Sequence, residues 1–285
     1  MATFFGELFS YSFLVRAFVV GTLVSLCAAL LGVILVLKRY SMIGEGLSNV
    51  GFGSLAIALS LEMILPATLQ LPSPLLVSLP VVMLAAVLLL RLSENSQIKG
   101  DSAIALVSSS SVAIGIVVIS LTTGITLDVC NYLFGSILST TKYDMYISIG
   151  VAAVVLVLFV VFYNKIFAVT FDESFARATG TNAGGYNTLI ALLTALVIVV
   201  GMRIMGAMLI SCLVIFPALT SMRVFRSFKS VVVSSALVSL FCFVVGMLVS
   251  YIIPVMPSGA TIVVVNLAVF IVFSILGKIV RKAGA

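Results

Sequence analysis

The sequence predicts an all-α, polytopic membrane protein with about nine transmembrane helices. Of its 285 residues, 62% are apolar and only 8% are charged, whereas a soluble domain has about 45–50% apolar and about 25% charged residues. Long apolar runs follow one another along the whole chain, and a spanning helix needs roughly 20 such residues. This composition excludes a secreted disulfide domain, a disordered chain and a nucleic-acid-binding protein.

The apolar runs and the polar breaks between them define the spans. The nine candidates are residues 16–37, 43–62, 75–91, 102–121, 145–164, 186–202, 204–222, 231–252 and 260–278. Residues 127–140 are apolar but too short to cross, so we expect a re-entrant or interfacial segment on the outer side. Residues 166–183 carry three charges and are predicted to form a polar connection.

The basic residues set the orientation, because cytoplasmic loops of membrane proteins carry an excess of lysine and arginine. With nine helices, five groups fall on one side: Lys38 and Arg39, Arg91 and Lys99, Lys165 and Arg177, Arg223 to Lys229, and Lys278 to Lys282. That side is predicted to be cytoplasmic, with the N-terminus outside and the C-terminus inside. The net charge of +6 is therefore interpreted as a signal of membrane orientation.

The second span carries the most informative polar residues. Glu45 and Asn49 are four residues apart and share one helix face, and Ser48 lies beside them. A carboxylate inside a span costs about 2.5–3.5 kcal/mol on insertion scales, which indicates a water-filled cavity or a ligand. The alternative is an interfacial Glu45 that pairs with Lys38 or Arg39, and Asn49 could simply bond a neighbouring helix. Four glycines of this span would let other helices approach closely: Gly44, Gly46, Gly51 and Gly53.

A short helix is predicted in the cytoplasmic connection near residues 171–180. Thr170 and Glu173 fit a capping box, with Thr170 as the N-cap, and Gly180 can end the helix. Phe175 is expected to be exposed. Since so short a helix is marginal in water, we expect it to dock against a partner or, alternatively, to lie on the membrane face of the protein itself.

Catalytic motifs are missing from the chain. It has no GxxxxGK[ST] loop for nucleotide phosphates and no HExxH, GxSxG or CxxC pattern. It also has no histidine, the commonest metal-binding side chain. We therefore expect no enzyme activity and no bound cofactor, and a helical bundle of this kind is most often a transporter or channel.

Four stretches together resemble the permeases of ATP-binding-cassette importers for zinc, manganese and iron, the ABC-3 family. They are LLGVILVLKRYSMIGEGLSN (30–49), GDSAIALVSSSSVAIGIVVISL (100–121), LDVCNYLFGSILSTTKYDM (127–145), and DESFARATGTNAGGYN (172–187) followed by RIMGAMLISCLVIFPALTS (203–221) and MPSGATIVVV (256–265). The resemblance covers nearly the whole chain in order and spacing. It implies that residues 1–285 form a single transmembrane permease domain in a bacterial cell membrane.

The resemblance also implies partners. A cytoplasmic ATPase would drive transport, an extracytoplasmic binding protein would deliver the divalent metal ion, and a second permease, itself or a paralogue, would complete the pathway. The helix near 171–180 resembles the coupling helix that contacts the ATPase. Its candidate coupling residues are Asp172, Glu173, Phe175, Arg177 and Gly180. The outer loops 63–74 and 122–144 would face the binding protein.

The metal pathway of this family implies roles for Glu45, Asn49 and Ser48, with Glu45 and Asn49 as metal ligands. The family carries aspartate and histidine where this chain has Glu45 and Asn49. Oxygen donors without imidazole favour Mn²⁺ over Zn²⁺, unless a partner permease supplies a histidine. The alternatives are a secondary transporter or channel that needs no ATPase, and a membrane scaffold without transport.

Overall fold

The all-α prediction is confirmed. A computed structural model describes residues 12–64, 75–95, 100–121, 142–253 and 256–283. Its elements in this part of the chain are helices α1 (Ser12–Leu37), α2 (Ser41–Ile64), α3 (Leu75–Asn95), α4 (Gly100–Leu121), α5 (Lys142–Val161), α6 (Tyr163–Phe171), α7 (Glu173–Ala178), α8 (Ala183–Met205), α9 (Ala207–Val224), α10 (Phe228–Ile252) and α11 (Ser258–Ala283).

Each of the nine predicted apolar runs is helical. Within the described residues, seven helices are long and apolar enough to cross a membrane, and an eighth span forms if α5 and α6 are taken together. The run at 75–91 is α3, whose apolar part is Ser78–Leu89. The predicted outer segment at 127–140 lies outside the described residues, as do residues 65–74 and 122–141 of the outer loops.

The fifth span differs from its prediction at the cytoplasmic end. It ends at Val161 rather than residue 164, and α6 continues from Tyr163 at an angle of 71°. The predicted polar connection is therefore partly helical, since α6 extends to Phe171. Ring contacts hold α6 in place, because Phe167 and Phe171 both lie against Phe228 with ring centres 5.1 and 5.9 Å apart.

The core lies around three helices. In the most apolar stretch of each of the helices α1, α2 and α8, 72% of the residues are buried. The corresponding shares are 17% in α4 and 22% in α11. Hydropathy does not predict this distinction, because α2 is the least apolar of the five helices and yet is among the most buried. Peripheral helices therefore present apolar surface to the bilayer or to other chains.

Glycines allow the closest helix contacts. A Cβ atom placed on Gly32 of α1 would lie 1.8 Å from the carbonyl oxygen of Val214 in α9. On α2, a Cβ on Gly53 would lie 2.5 Å from the carbonyl oxygen of Ser111 in α4. The predicted close approach of helices to the glycines of the second span is thus observed.

Replacing Gly32 by alanine is expected to destabilise the chain, by at least about 1–3 kcal/mol, because two packed backbones must move apart. The measurement is thermal unfolding of the purified protein in detergent. Gly150→Ala is the matched control, since nothing lies within 4 Å of an added Cβ there and alanine is the better helix former. Equal melting temperatures for the two variants would contradict the contact between α1 and α9.

Candidate functional site: a polar cavity beside α2 and a capped cytoplasmic helix

A small cavity opens between α2 and α4. Its volume is about 170 Å³, and the two helices pack so closely around it that a Cβ on Gly46 would lie 2.7 Å from the Ile104 side chain. The cavity is lined by Met42, Glu45, Gly46, Ile104, Ala105, Ser108 and Ser109. A carboxylate and two hydroxyl groups therefore line the same cavity.

Glu45 faces this cavity from the second turn of α2 and is exposed there. It forms no ion pair with any residue that the structure describes. The alternative of an interfacial pair between Glu45 and Lys38 is not observed, because Lys38 lies against Glu173 instead. The carboxylate is thus available to a ligand in the cavity.

Asn49 and Ser48, which follow Glu45 on α2, bond two different neighbouring helices. The Asn49 amide nitrogen donates to the Ser108 hydroxyl at 2.6 Å, so Asn49 supports a cavity residue and bonds a neighbouring helix at once. Ser48 is buried and donates to the Ala207 carbonyl oxygen on α9 at 3.1 Å. It does not line the cavity.

The polar side chains that line the cavity offer oxygen, and Met42 adds a thioether sulfur. Cys27, Cys212 and Cys242 are buried elsewhere and do not line it. Across the described ranges, no three acidic or cysteine side chains come together as a metal centre. A hard divalent cation takes about six or more oxygen ligands, which is more than the described residues of this cavity offer.

The short helix α7 is capped by a residue other than the predicted one. Asp172 is its N-cap and accepts a bond from the Phe175 amide at 2.9 Å. The predicted N-cap Thr170 belongs to α6, where its hydroxyl donates to the Ile166 carbonyl oxygen. The predicted capping box of Thr170 and Glu173 is therefore wrong. The N-cap lies two residues later than predicted, because α6 continues to Phe171.

The cap also affects the titration of Asp172. The bonds from the Phe175 amide and the Ser174 hydroxyl hold the pKa of Asp172 below its ordinary value. A lowered folded-state pKa means that the cap stabilises α7 at neutral pH and loses this effect as the pH falls through that pKa.

The two faces of α7 differ. Ala176 is buried against Val169 and Ala183, whereas Phe175 is 63% exposed, as predicted. Gly180 ends this segment with φ 79°, a conformation that glycine adopts without strain. One face of α7 thus rests on the rest of the protein, in line with the alternative prediction. Phe175 lies on the other, exposed face.

Glu173 is directed toward the protein rather than outward. Its carboxylate accepts bonds from Arg177 at 2.6 Å and from the Asn187 amide at 3.1 Å, and the Lys38 ammonium lies 3.9 Å away. Partial burial would by itself raise the pKa of Glu173. Two effects outweigh this burial and lower the pKa of Glu173. They are the hydrogen bonds from Asn187 and Arg177 and the positive charges of Lys38 and Arg177.

Sequence reasoning missed several of these residues. Ser108 and Ser109 stand in a run of four serines, which could have marked α4 as the partner of Glu45. Asn187 carries no such signal. Its contact with Lys38 joins residues that are 149 positions apart.

A bundle of membrane-spanning helices with a polar cavity, and with a short capped helix at one end, defines a multi-pass membrane transport protein. The chain belongs to the ABC 3 transport family, whose model matches residues 10–277. The resemblance seen in the sequence is thereby confirmed, and with it a location in the cell membrane.

Individual relatives agree over nearly their whole length. The chain is 29% identical over 269 residues to the manganese import system permease protein ScaB of Streptococcus gordonii, covering 94% of this chain and 93% of ScaB. It is 27% identical to the high-affinity zinc uptake system membrane protein ZnuB of Haemophilus influenzae, covering 84% and 88%. The structure of PsaBC from Streptococcus pneumoniae in complex with Fab matches with a TM-score of 0.81 and 29% identity, over 95% of this chain and 94% of that one.

Proposed function

We propose that this chain is the permease subunit of an ATP-driven importer for a divalent transition metal ion. The single observation that carries the proposal is the exposed Glu45 carboxylate in the cavity between α2 and α4, in a chain of the ABC 3 transport family. A charged group at this position in a span is costly, and a passing cation offsets that cost. The names of the manganese and zinc relatives support a metal as the transported ion.

Manganese is the favoured substrate. The cavity presents the Glu45 carboxylate and the hydroxyls of Ser108 and Ser109, and Asn49 bonds Ser108 from the side. Such oxygen donors suit Mn²⁺, whereas Zn²⁺ prefers imidazole and thiolate. Because the donor set of one chain is incomplete, a second permease places its own ligands opposite these.

The ATPase contacts the permease through α7. The exposed Phe175 provides an apolar anchor, and the caps at Asp172 and Gly180 keep the short helix formed. Arg177 is 63% exposed and pairs with Glu173, so it lies at the edge of this contact. The binding protein acts at the opposite end of the bundle.

Uptake by reconstituted vesicles tests this function. The complex of permease, ATPase and binding protein is expected to accumulate Mn²⁺ only when ATP is present on the ATPase side, and to prefer Mn²⁺ over Zn²⁺. Accumulation that follows an ion gradient, with no ATPase present, would instead establish a secondary transporter or channel.

A further inference from the structure

A buried lysine joins the cytoplasmic helix α7 to the start of α2. The side chain of Lys38 is only 9% exposed, and lysine is almost never buried without a partner. Its ammonium donates to the side-chain Oδ1 of Asn187 and lies 3.9 Å from the Glu173 carboxylate. The Asn187 amide nitrogen in turn donates to Glu173 at 3.1 Å, so the three groups close a triangle.

The three members belong to three different helices. Lys38 follows the last residue of α1, Glu173 opens α7, and Asn187 lies in the second turn of α8. In contrast, the apolar attachment of α7 is small, because Ala176 is its buried side chain. The polar triangle is thus a main attachment between α7 and the transmembrane helices.

The backbone beyond Lys38 is a tight, fully bonded turn. The Arg39 amide donates to the Val36 carbonyl oxygen at 3.1 Å and the Tyr40 amide to the Leu35 carbonyl oxygen at 2.7 Å, which is a Schellman motif. Arg39 occupies the left-handed position with φ 62°, uncommon for a residue other than glycine. The turn is therefore rigid, and a displacement of Lys38 moves the start of α2.

Glu45 lies just beyond this turn. The helix α2 begins at Ser41, so Glu45 is about 6 Å along its axis at 1.5 Å per residue. A continuous path of bonds and helix thus runs from α7, through Lys38, to the carboxylate in the cavity.

We propose that Lys38 is a positioning residue, which couples movement of the ATPase-bound helix α7 to the helix that carries Glu45. The inference rests on the proposed function. In this role Lys38 touches neither the metal ion nor the ATPase. It conveys the position of Glu173 to α2, and its loss disconnects ATP hydrolysis from transport while both partial activities persist.

The test uses the complete importer in vesicles and measures Mn²⁺ taken up per ATP hydrolysed. Lys38→Met removes the ammonium and keeps a side chain of similar length, while Glu173 retains its bonds from Arg177 and Asn187. We expect this variant to fold, to bind the ATPase and to hydrolyse ATP at the wild-type rate, with the uptake ratio reduced at least about tenfold. Lys38→Arg, which keeps the positive charge, is expected to recover part of the ratio.

The control is Lys165→Met, which removes an exposed lysine of α6 and should leave the ratio unchanged. A wild-type ratio in folded Lys38→Met would overturn the inference. So would loss of folded protein in both Lys38 variants, since the triangle would then serve stability alone. Failure of the wild-type complex to take up Mn²⁺ with ATP is a separate result, and it would refute the proposed function itself.

Discussion

Glu45→Ala is expected to abolish ATP-driven Mn²⁺ uptake, and Glu45→Gln to reduce it at least about tenfold. The carboxylate is the one charged group among the residues that line the cavity. Removing even an outer-shell partner of a metal ligand costs about 10–100-fold in metal affinity or activity. Glutamine keeps the size of the side chain, so its loss of uptake reports the charge. Elemental analysis of cells grown in limiting Mn²⁺ measures the accumulation.

Neighbouring serines of α4 supply a matched control. Ser109 lines the cavity, and Ser109→Ala should lower uptake several-fold. Ser110 is exposed, donates to the carbonyl oxygens of Leu106 and Val107 on its own helix and does not line the cavity. Ser110→Ala should therefore transport normally. Unchanged accumulation by the Glu45 variants would return Glu45 to a purely interfacial role.

Phe175→Ala is expected to separate the ATPase from the permease without unfolding it. The phenyl ring is 63% exposed, so its loss leaves the packing of Ala176 intact. Aromatic residues at the centre of an interface commonly contribute 2 kcal/mol or more, which is roughly a 30-fold weaker association. We expect the purified variant to retain little ATPase and its uptake to fall in proportion. A bulky substitution at Gly180 should act in the same direction through backbone strain.

Phe241→Ala is the control for this variant. Phe241 is 58% exposed on α10, within a transmembrane helix, and its truncation removes the same ring from a different surface. It should retain the ATPase and transport normally. If Phe175→Ala co-purified with the ATPase at the wild-type level, the contact would have to lie elsewhere on the chain.

The helices were largely predictable from the sequence. Apolar runs marked their positions because a membrane requires a length of about 20 apolar residues and internal hydrogen bonding, whatever the neighbouring helices do. The exposure of Phe175 was also predictable, since a short capped helix in a polar connection has a face that cannot be covered locally. The assignments at Asp172, Glu173, Arg177 and Gly180 remain predictions of ATPase coupling.

Errors arose where a nearby residue was preferred to a distant one. The short separation of Lys38 and Glu45 in the sequence, one to two helical turns, favours an ion pair between them. In the structure, Lys38 instead bonds Asn187 and lies beside Glu173. The local sequence favours Thr170 as the N-cap, whereas α6 runs on to Phe171, whose ring packs on the distant Phe228. Side-chain pairing depends on which helix ends meet, and composition carries no information on that.

The sequence alone determined the all-α membrane class, the positions of the apolar helices and the family resemblance, because each depends on residue types and short spacings. The tertiary structure decided that Glu45 opens into a cavity with Ser108 and Ser109, while Ser48 faces Ala207. It also brought Lys38, Glu173 and Asn187 together. These results follow from the angles at which the helices pack. The packing angles depend on contacts between many residues that are distant in sequence, so no single segment encodes them.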